Sequence, residues 1–112
     1  WRVPEDLGRR YASIAKDRNP IHLHALAAKA FGFKRAIIHG MWTMAQALAT
    51  LEDDWPTGPA LFTCAFKRPI FLPSTVDFVH APHPDGGVAY AVWRPGTDKL
   101  HLYGKIAPLN AD

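Results

Sequence analysis

Met41–Leu51 reads MWTMAQALATL, a stretch without charge in which only Thr43, Gln46 and Thr50 are polar. Those three fall three and four apart on one helical stripe, with alanines or larger apolar residues round the rest. A helix this apolar, yet too short to cross a bilayer, is expected inside a protein, wrapped on most sides. Glu52-Asp53-Asp54 follows, acids that oppose the dipole at a helix C-terminus and so mark a solvated exit. Trp55-Pro56-Thr57-Gly58-Pro59 then reads as a loop.

Beyond Pro59 the apolar period changes to two. Phe62, Cys64 and Phe66 alternate with Thr63 and Ala65, and Val76 and Phe78 with Thr75 and Asp77. Val88, Tyr90 and Val92 alternate with alanines, and Leu100, Leu102, Gly104 and Ile106 with His101, Tyr103 and Lys105. Asp85-Gly86-Gly87 and Pro95-Gly96-Thr97-Asp98 are hairpin turns, while Lys67-Arg68-Pro69 and Leu72-Pro73-Ser74 interrupt the first strands. The pattern predicts an α+β chain, with about four antiparallel strands in meander order wrapped around a central apolar helix. That is a hot dog arrangement.

Upstream, Trp1–Gly8 reads as an approach segment in which Pro4, Glu5 and Asp6 favour a helix start. Gly8–Lys16 (GRRYASIAK) predicts a short helix with Tyr11, Ile14 and Ala15 on one face. Asp17-Arg18-Asn19-Pro20 breaks it, because an asparagine before proline is pushed out of the α region. HALAAKAFGF, from His24 to Phe33, predicts a second helix ended by Gly32. So short a lead leaves little room for a strand before the first helix.

Asp17-Arg18-Asn19-Pro20-Ile21-His22 sets a carboxylate and an imidazole five residues apart across a proline, and Ile37-Ile38-His39-Gly40-Met41 delivers a glycine to the start of the apolar helix. A carboxylate, an imidazole and free helix N–H groups are the parts for moving protons beside a developing oxyanion. We expect them to form one site.

Bulk properties bound the reading. A chain of 112 residues is expected to form one domain with a real core, and 48% hydrophobic against 21% charged residues argues against disorder. The formal charge of +3 suits an anionic ligand such as a phosphorylated cofactor and is too small to indicate nucleic acid. No run of about 18 apolar residues predicts a membrane span, and the opening residues do not read as a secretory signal. The single Cys64 excludes an internal disulfide and a cysteine-based zinc site, so a reducing cytoplasm is the expected compartment. Opening at Trp1 without methionine, the chain reads as an excised part of something longer.

Tyr11-Ala12-Ser13-Ile14-Ala15-Lys16-Asp17-Arg18-Asn19-Pro20-Ile21-His22, then Gly32-Phe33 and Ile37-Ile38-His39-Gly40-Met41, resembles the MaoC-like dehydratases, the (R)-specific enoyl-CoA hydratases of the hot dog superfamily. Their motif has the form Y/F-A-x-x-S-G-D-x-N-P-I/L-H, joined later by G-F and I-x-H-G-M. The likeness is close over about residues 9 to 44, and Phe66–Val76 also resembles the family's strand region. The resemblance implies interconversion of trans-2-enoyl and (R)-3-hydroxyacyl thioesters of coenzyme A or acyl carrier protein in fatty acid metabolism. It implies Asp17 and His22 as the catalytic pair, Gly40 as the backbone N–H facing the thioester oxygen, and no metal or redox cofactor. Some relatives are double hot dogs whose C-terminal half carries the motif. The expected partner is accordingly a second copy, or a second hot dog domain.

The residues agree with that chemistry. Water has to be made nucleophilic at C3 while a proton reaches C2, so two proton-exchanging groups should flank one water. One fixed oxyanion donor is worth about 3 kcal/mol. A carboxylate can also hold the neighbouring imidazole in orientation. Asn19 and Pro20 act as scaffold for the turn. Lys29, Lys34, Arg35 and Arg68 are candidates for the phosphates of the thiol carrier, against the plainer reading of solvated surface charge. The departure from the motif is Ala15-Lys16 where Ser-Gly is usual.

Plainer readings compete elsewhere. His39 reads as structural, bonding backbone near the helix start. His22, His24 and His39 make a poor metal set, since no nearby acid completes it. His80, His83 and His101 fall in strands or turns and look incidental. Cys64 reads as an inert thiol. Two rival functions remain: a thioesterase on the same fold, and a non-catalytic acyl-binding or pairing domain.

Overall fold

The structure, a computed structural model, describes residues 1–17 and 19–109. Contacts within the chain group it into two compact units: Trp1–Thr43 with Pro69–Val76, and Met44–Arg68 with the residues from Asp77 onward.

The first unit opens with β1 (Arg2–Val3), followed by α1 (Leu7–Ala15), a 3-10 turn (Pro20–His22), α2 (Ala25–Ala30) and the start of α3 (Gly40–Thr50). β1 pairs antiparallel with β3 (Ser74–Thr75), so a leading strand does precede the first helix, contrary to expectation. Two residues suffice because Val3 is fully buried and the Trp1 and Val76 backbones exchange two hydrogen bonds at the N-terminal end of β1. α1 buries Gly8 and Ala12, whereas Ile14 is 81% exposed. The expected face of Tyr11, Ile14 and Ala15 is therefore wrong: the side packed inward carries the smallest residues, which lets the backbone of α1 approach its neighbours closely. α2 is shorter than HALAAKAFGF suggested, and Gly32 follows its end at φ 93, the left-handed geometry that glycine supplies there.

An extended segment runs through the middle of this unit. Ile37 N–H donates to the Ile21 carbonyl at 2.9 Å, Ile38 N–H to Ile70 at 3.0 Å, and Leu72 N–H to Ala36 at 2.8 Å. With Ile37 bridged to Phe71, residues 36–38 are clamped between the 3-10 turn and residues 70–72. Ala36, Ile37, Ile38, Ile70 and Leu72 are all buried around this clamp.

The second unit holds the rest of α3 and a four-stranded antiparallel sheet of β2 (Ala60–Phe66), β4 (Asp77–Pro82), β5 (Val88–Trp93) and β6 (Leu100–Pro108). Its order is β2-β6-β5-β4. Strands β4, β5 and β6 form the expected meander, but β6 returns to pair with β2, Phe62 opposite Ile106. Short turns join only the last three strands, whereas the segment from β2 to β4 leaves the sheet to build the clamp of the first unit. Val88, Tyr90, Val92, Leu102 and Ile106 form the sheet's buried face. Asp85 caps the β4–β5 turn through Gly87 N–H at 2.9 Å, and the Lys105 ammonium above all holds its carboxyl down to about 2. Cys64 is half-buried rather than sealed.

Thr43 and Ala47 of helix α3 and Leu51, just past its end, are buried, one stripe at i, i+4, i+8. Met41 (57% exposed), Ala45 and Ala49 lie on another stripe that this chain leaves open. The helix is thus not wrapped on most sides, and Thr43 points inward instead of joining a polar stripe with Gln46 and Thr50. Glu52–Asp54 form the exposed exit that their charges predicted. Among the described residues, no helix is long and apolar enough to cross a membrane.

Candidate active site

Helix α1 stops at Lys16, whose N–H makes the last helical bond, to the Ala12 carbonyl at 2.8 Å, before its own backbone turns left-handed (φ 59, ψ 23). That geometry explains why the motif ordinarily carries glycine here, since any side chain pays a steric penalty in the left-handed region. The reversal launches the loop that carries Asp17. The Asp17 carboxylate (Oδ1) accepts from Asn19 N–H at 3.2 Å, and the Asn19 amide oxygen accepts from Ile21 N–H at 3.3 Å. Asn19 also offers its carbonyl to His22 N–H at 3.0 Å. Two successive Asx turns therefore wind the chain from Asp17 into the 3-10 turn, the local structure that short carboxylate and amide side chains favour. Asn19 thus bonds Asp17 before it and Ile21 and His22 after it, and Pro20 opens the turn; Arg18 lies outside the described residues.

His22 projects from that turn with its side chain only 11% exposed. Its Nδ1 lies 2.7 Å from the Ile37 carbonyl oxygen. A carbonyl only accepts, so Nδ1 carries the proton and Nε2 presents its lone pair. That Nε2 stands 4.0 Å from Asp17 Oδ2, on a carboxylate 54% exposed. Burial pushes the His22 pKa below its ordinary 6.5; the Ile37 carbonyl raises it, the His39 imidazole lowers it and the Asp17 carboxylate raises it, in falling order. The expectation that the carboxylate would orient the imidazole is corrected: the clamped Ile37 carbonyl does so.

His39 is 2% exposed and enters the same cluster. Its Nε2 lies 2.7 Å from the Asp17 carbonyl oxygen and 4.0 Å from Oδ2. Its ring stacks on that of His22 (centroids 3.9 Å, interplanar 23°) and meets the Tyr11 ring edge-on at 4.8 Å. His39 Nδ1 is buried with no hydrogen-bond partner among the described residues. A backbone bond was foreseen for this histidine, but not its place against His22. Gly40 follows directly as the first residue of α3, where Trp42 and Thr43 N–H already bond the His39 carbonyl. By helix geometry the N–H of a first-turn residue such as Gly40 has no intrahelical acceptor.

Donor atoms of Asp17, His22 and His39 lie within 4.8 Å of one another. An acid does complete a set of possible ligands, then, though with Asp17 and not His24. Both Nε2 atoms stand 4.0 Å from Asp17 Oδ2, but one nitrogen of each ring is committed to a carbonyl, and for His39 it is Nε2 itself, which carries its proton there and has no lone pair to offer a metal. The arrangement suits proton transfer better than coordination.

Lys29, Lys34 and Arg35 are exposed residues of the first unit. Arg35 donates to the Pro73 carbonyl at 2.9 Å and covers the Phe71 ring, while Arg68, in the second unit, donates to the Leu100 carbonyl at 3.3 Å. Two supports escaped sequence reasoning. The Ile37 carbonyl has no signature in residue identity. Gly8 had one, a glycine inside a helix: a Cβ there would run into the His22 carbonyl oxygen. A separate hollow of about 300 Å³ lies on the sheet, lined by Val79, His80, Ala81, Ala89, Tyr90 and Ala91.

An α+β chain with this sheet order, α3 and the Asp17–His22–His39 cluster is of the hot dog class, and solved structures of that class superpose on it. The chain belongs to the MaoC-like domain family, whose model ("MaoC like domain") matches residues 2–82. It is 42% identical over 79 residues to 3-hydroxyacyl-thioester dehydratase X of Mycobacterium tuberculosis, covering 70% of this chain and 28% of that protein. The crystal structure of HtdX from Mycobacterium tuberculosis superposes with a TM-score of 0.88 at 35% identity, over 97% of this chain and 46% of that one. R-hydratase PhaJ1 from Pseudomonas aeruginosa gives 0.68 at 27% identity, over 98% and 77%. The chain thus spans less than half the length of the first two.

Proposed function

We propose that this chain is the motif-bearing domain of a lyase that interconverts trans-2-enoyl and (R)-3-hydroxyacyl thioesters in fatty acid metabolism. The observation that carries this reading is the 4.0 Å between His22 Nε2 and Asp17 Oδ2, with His22 held from behind through Nδ1. One water at about 2.8 Å from each atom spans such a gap. The names of the relatives, a 3-hydroxyacyl-thioester dehydratase and an R-hydratase, support the same reaction.

In hydration, one of the pair takes a proton as the water oxygen bonds to C3 of the enoyl group. The π electrons move through C2 onto the thioester oxygen, and the N–H of Gly40 stabilises that enolate. The enolate then collapses as C2 takes a proton from the pair, and dehydration retraces the path. Coenzyme A or a carrier protein's phosphopantetheine supplies the thiol, its phosphates facing Lys29 and Lys34 before the already engaged Arg35 and Arg68.

All 112 residues form one MaoC-like hot dog domain in this reading, at work in the cytoplasm, and it pairs with a second copy or a second hot dog domain. The open stripe of Met41, Ala45 and Ala49 and the coverage of less than half of HtdX support pairing. Light scattering that finds only monomer at micromolar concentration counts against it.

Crotonyl-CoA tests the chemistry. Loss of enoyl absorbance without thiol release is the expected result, with Asp17→Ala and His22→Ala each slower by about 10²–10⁴-fold. Thiol release with the enoyl group intact makes the protein a thioesterase. Asp17→Ala and His22→Ala that leave the activity of a longer parent protein unchanged make this chain a binding or pairing domain.

A further inference from the structure

We infer that His39 is a positioning residue for the Asp17–His22 pair, tying the Asp17 main chain through Nε2–H and backing the His22 ring with its own. This rests on the hydratase reading above and assigns a task to a side chain that does not touch the substrate.

Three observations carry it. The Nε2 to Asp17 carbonyl distance, 2.7 Å, is that of a short hydrogen bond, and the carbonyl can only accept, so Nε2 must donate. The bond holds the one backbone group of the loop from which the carboxylate springs. Secondly, the His22 ring is fixed at its edge by Ile37, and a tether at one ring atom leaves rotation about that bond open. The His39 face at 3.9 Å closes it. Thirdly, His39 Nδ1 is buried and has no partner among the described residues. A position that only fills space has no reason to bury an unmatched nitrogen, whereas one that needs a small flat ring and an N–H donor together is served by histidine, the much larger tryptophan being the other ring with an N–H. In the Nε2–H tautomer that nitrogen is a bare lone pair, the least demanding group to leave unmatched. The titratable groups facing the ring are Tyr11 from α1, Asp17 from the loop and His22 from the 3-10 turn.

His39→Phe keeps a ring and removes the donor, while His39→Gln keeps an N–H and removes the ring. With crotonyl-CoA, His39→Phe should lower kcat on the order of 10²-fold, the penalty for a misplaced catalytic group, and leave KM within a factor of about three. His39→Gln should recover at least about tenfold of that loss. Long-range ¹⁵N–¹H correlation of the imidazoles supplies a readout independent of turnover: His39 should carry its proton on Nε2 and His22 on Nδ1. A His39→Phe protein with the parent's kcat overturns the inference alone, as does a His39 proton on Nδ1. Should the parent leave crotonyl-CoA untouched while both tautomers are as stated, the hydratase reading falls and His39 is only a structural tie.

Discussion

His22 Nδ1 and the carbonyl oxygen of Ile37 lie 2.7 Å apart, and this bond decides which nitrogen of the imidazole faces Asp17. Because burial outweighs it, the His22 pKa sits below 6.5 in the folded chain, and protons bind the unfolded chain more readily between that value and 6.5. His22 therefore adds stability that is whole above 6.5 and lost as pH falls through its folded value. Tm should drop as pH falls below 6.5, and His22→Gln should flatten that slope. The kcat/KM profile should lose activity on the same acid side, with an apparent pKa under 6.5, if neutral His22 is the working form.

Gly40 offers a test of the oxyanion donor by subtraction of one hydrogen. Proline is tolerated at the first position of a helix and has no N–H, whereas alanine keeps it. Gly40→Pro should lower kcat by about 10²–10³-fold, and Gly40→Ala by far less. Equal rates for the two would remove Gly40 from the chemistry.

Gly8 couples helix packing to the site. A methyl at this position collides with the His22 carbonyl oxygen and approaches Leu72. Gly8→Ala should destabilise the chain by about 1–3 kcal/mol in urea unfolding. Turnover should fall as well, because relief of the clash displaces the turn that bears the imidazole.

Lys16 sits in left-handed geometry at φ 59. That conformation costs a side-chain-bearing residue roughly 1–2 kcal/mol, and glycine's greater chain entropy offsets about 0.5–1 of the relief. Lys16→Gly should thus stabilise by about 0.5 kcal/mol, seen as a higher urea midpoint at unchanged slope.

Much of this was legible before any coordinates. The charge-free run at Met41, the period-two strands and the Asp17–His22 spacing pointed to the fold and to its central pair, because local pattern and motif record what local structure requires. Other features were not. The return of β6 to β2 joins residues some forty positions apart, and alternation along a strand does not name its neighbour. His39 before a glycine reads as a helix-start residue, and nothing in its surroundings along the chain announces that it stacks on His22. The inward face of α1 was misread because its contact is made by Gly8 and Ala12, residues whose small size is the point and whose hydrophobicity is slight.

The bonds that orient His22 and tie His39 both end on carbonyl oxygens of the main chain, at Ile37 and Asp17. Such acceptors are common to all twenty amino acids, so the wiring survives substitution at position 37 and leaves no trace in that residue's identity. A mutational scan would find position 37 permissive on this count, yet a change that shifts the backbone there would turn the His22 ring without altering Asp17 or His22, and so disturb the proposed proton transfer.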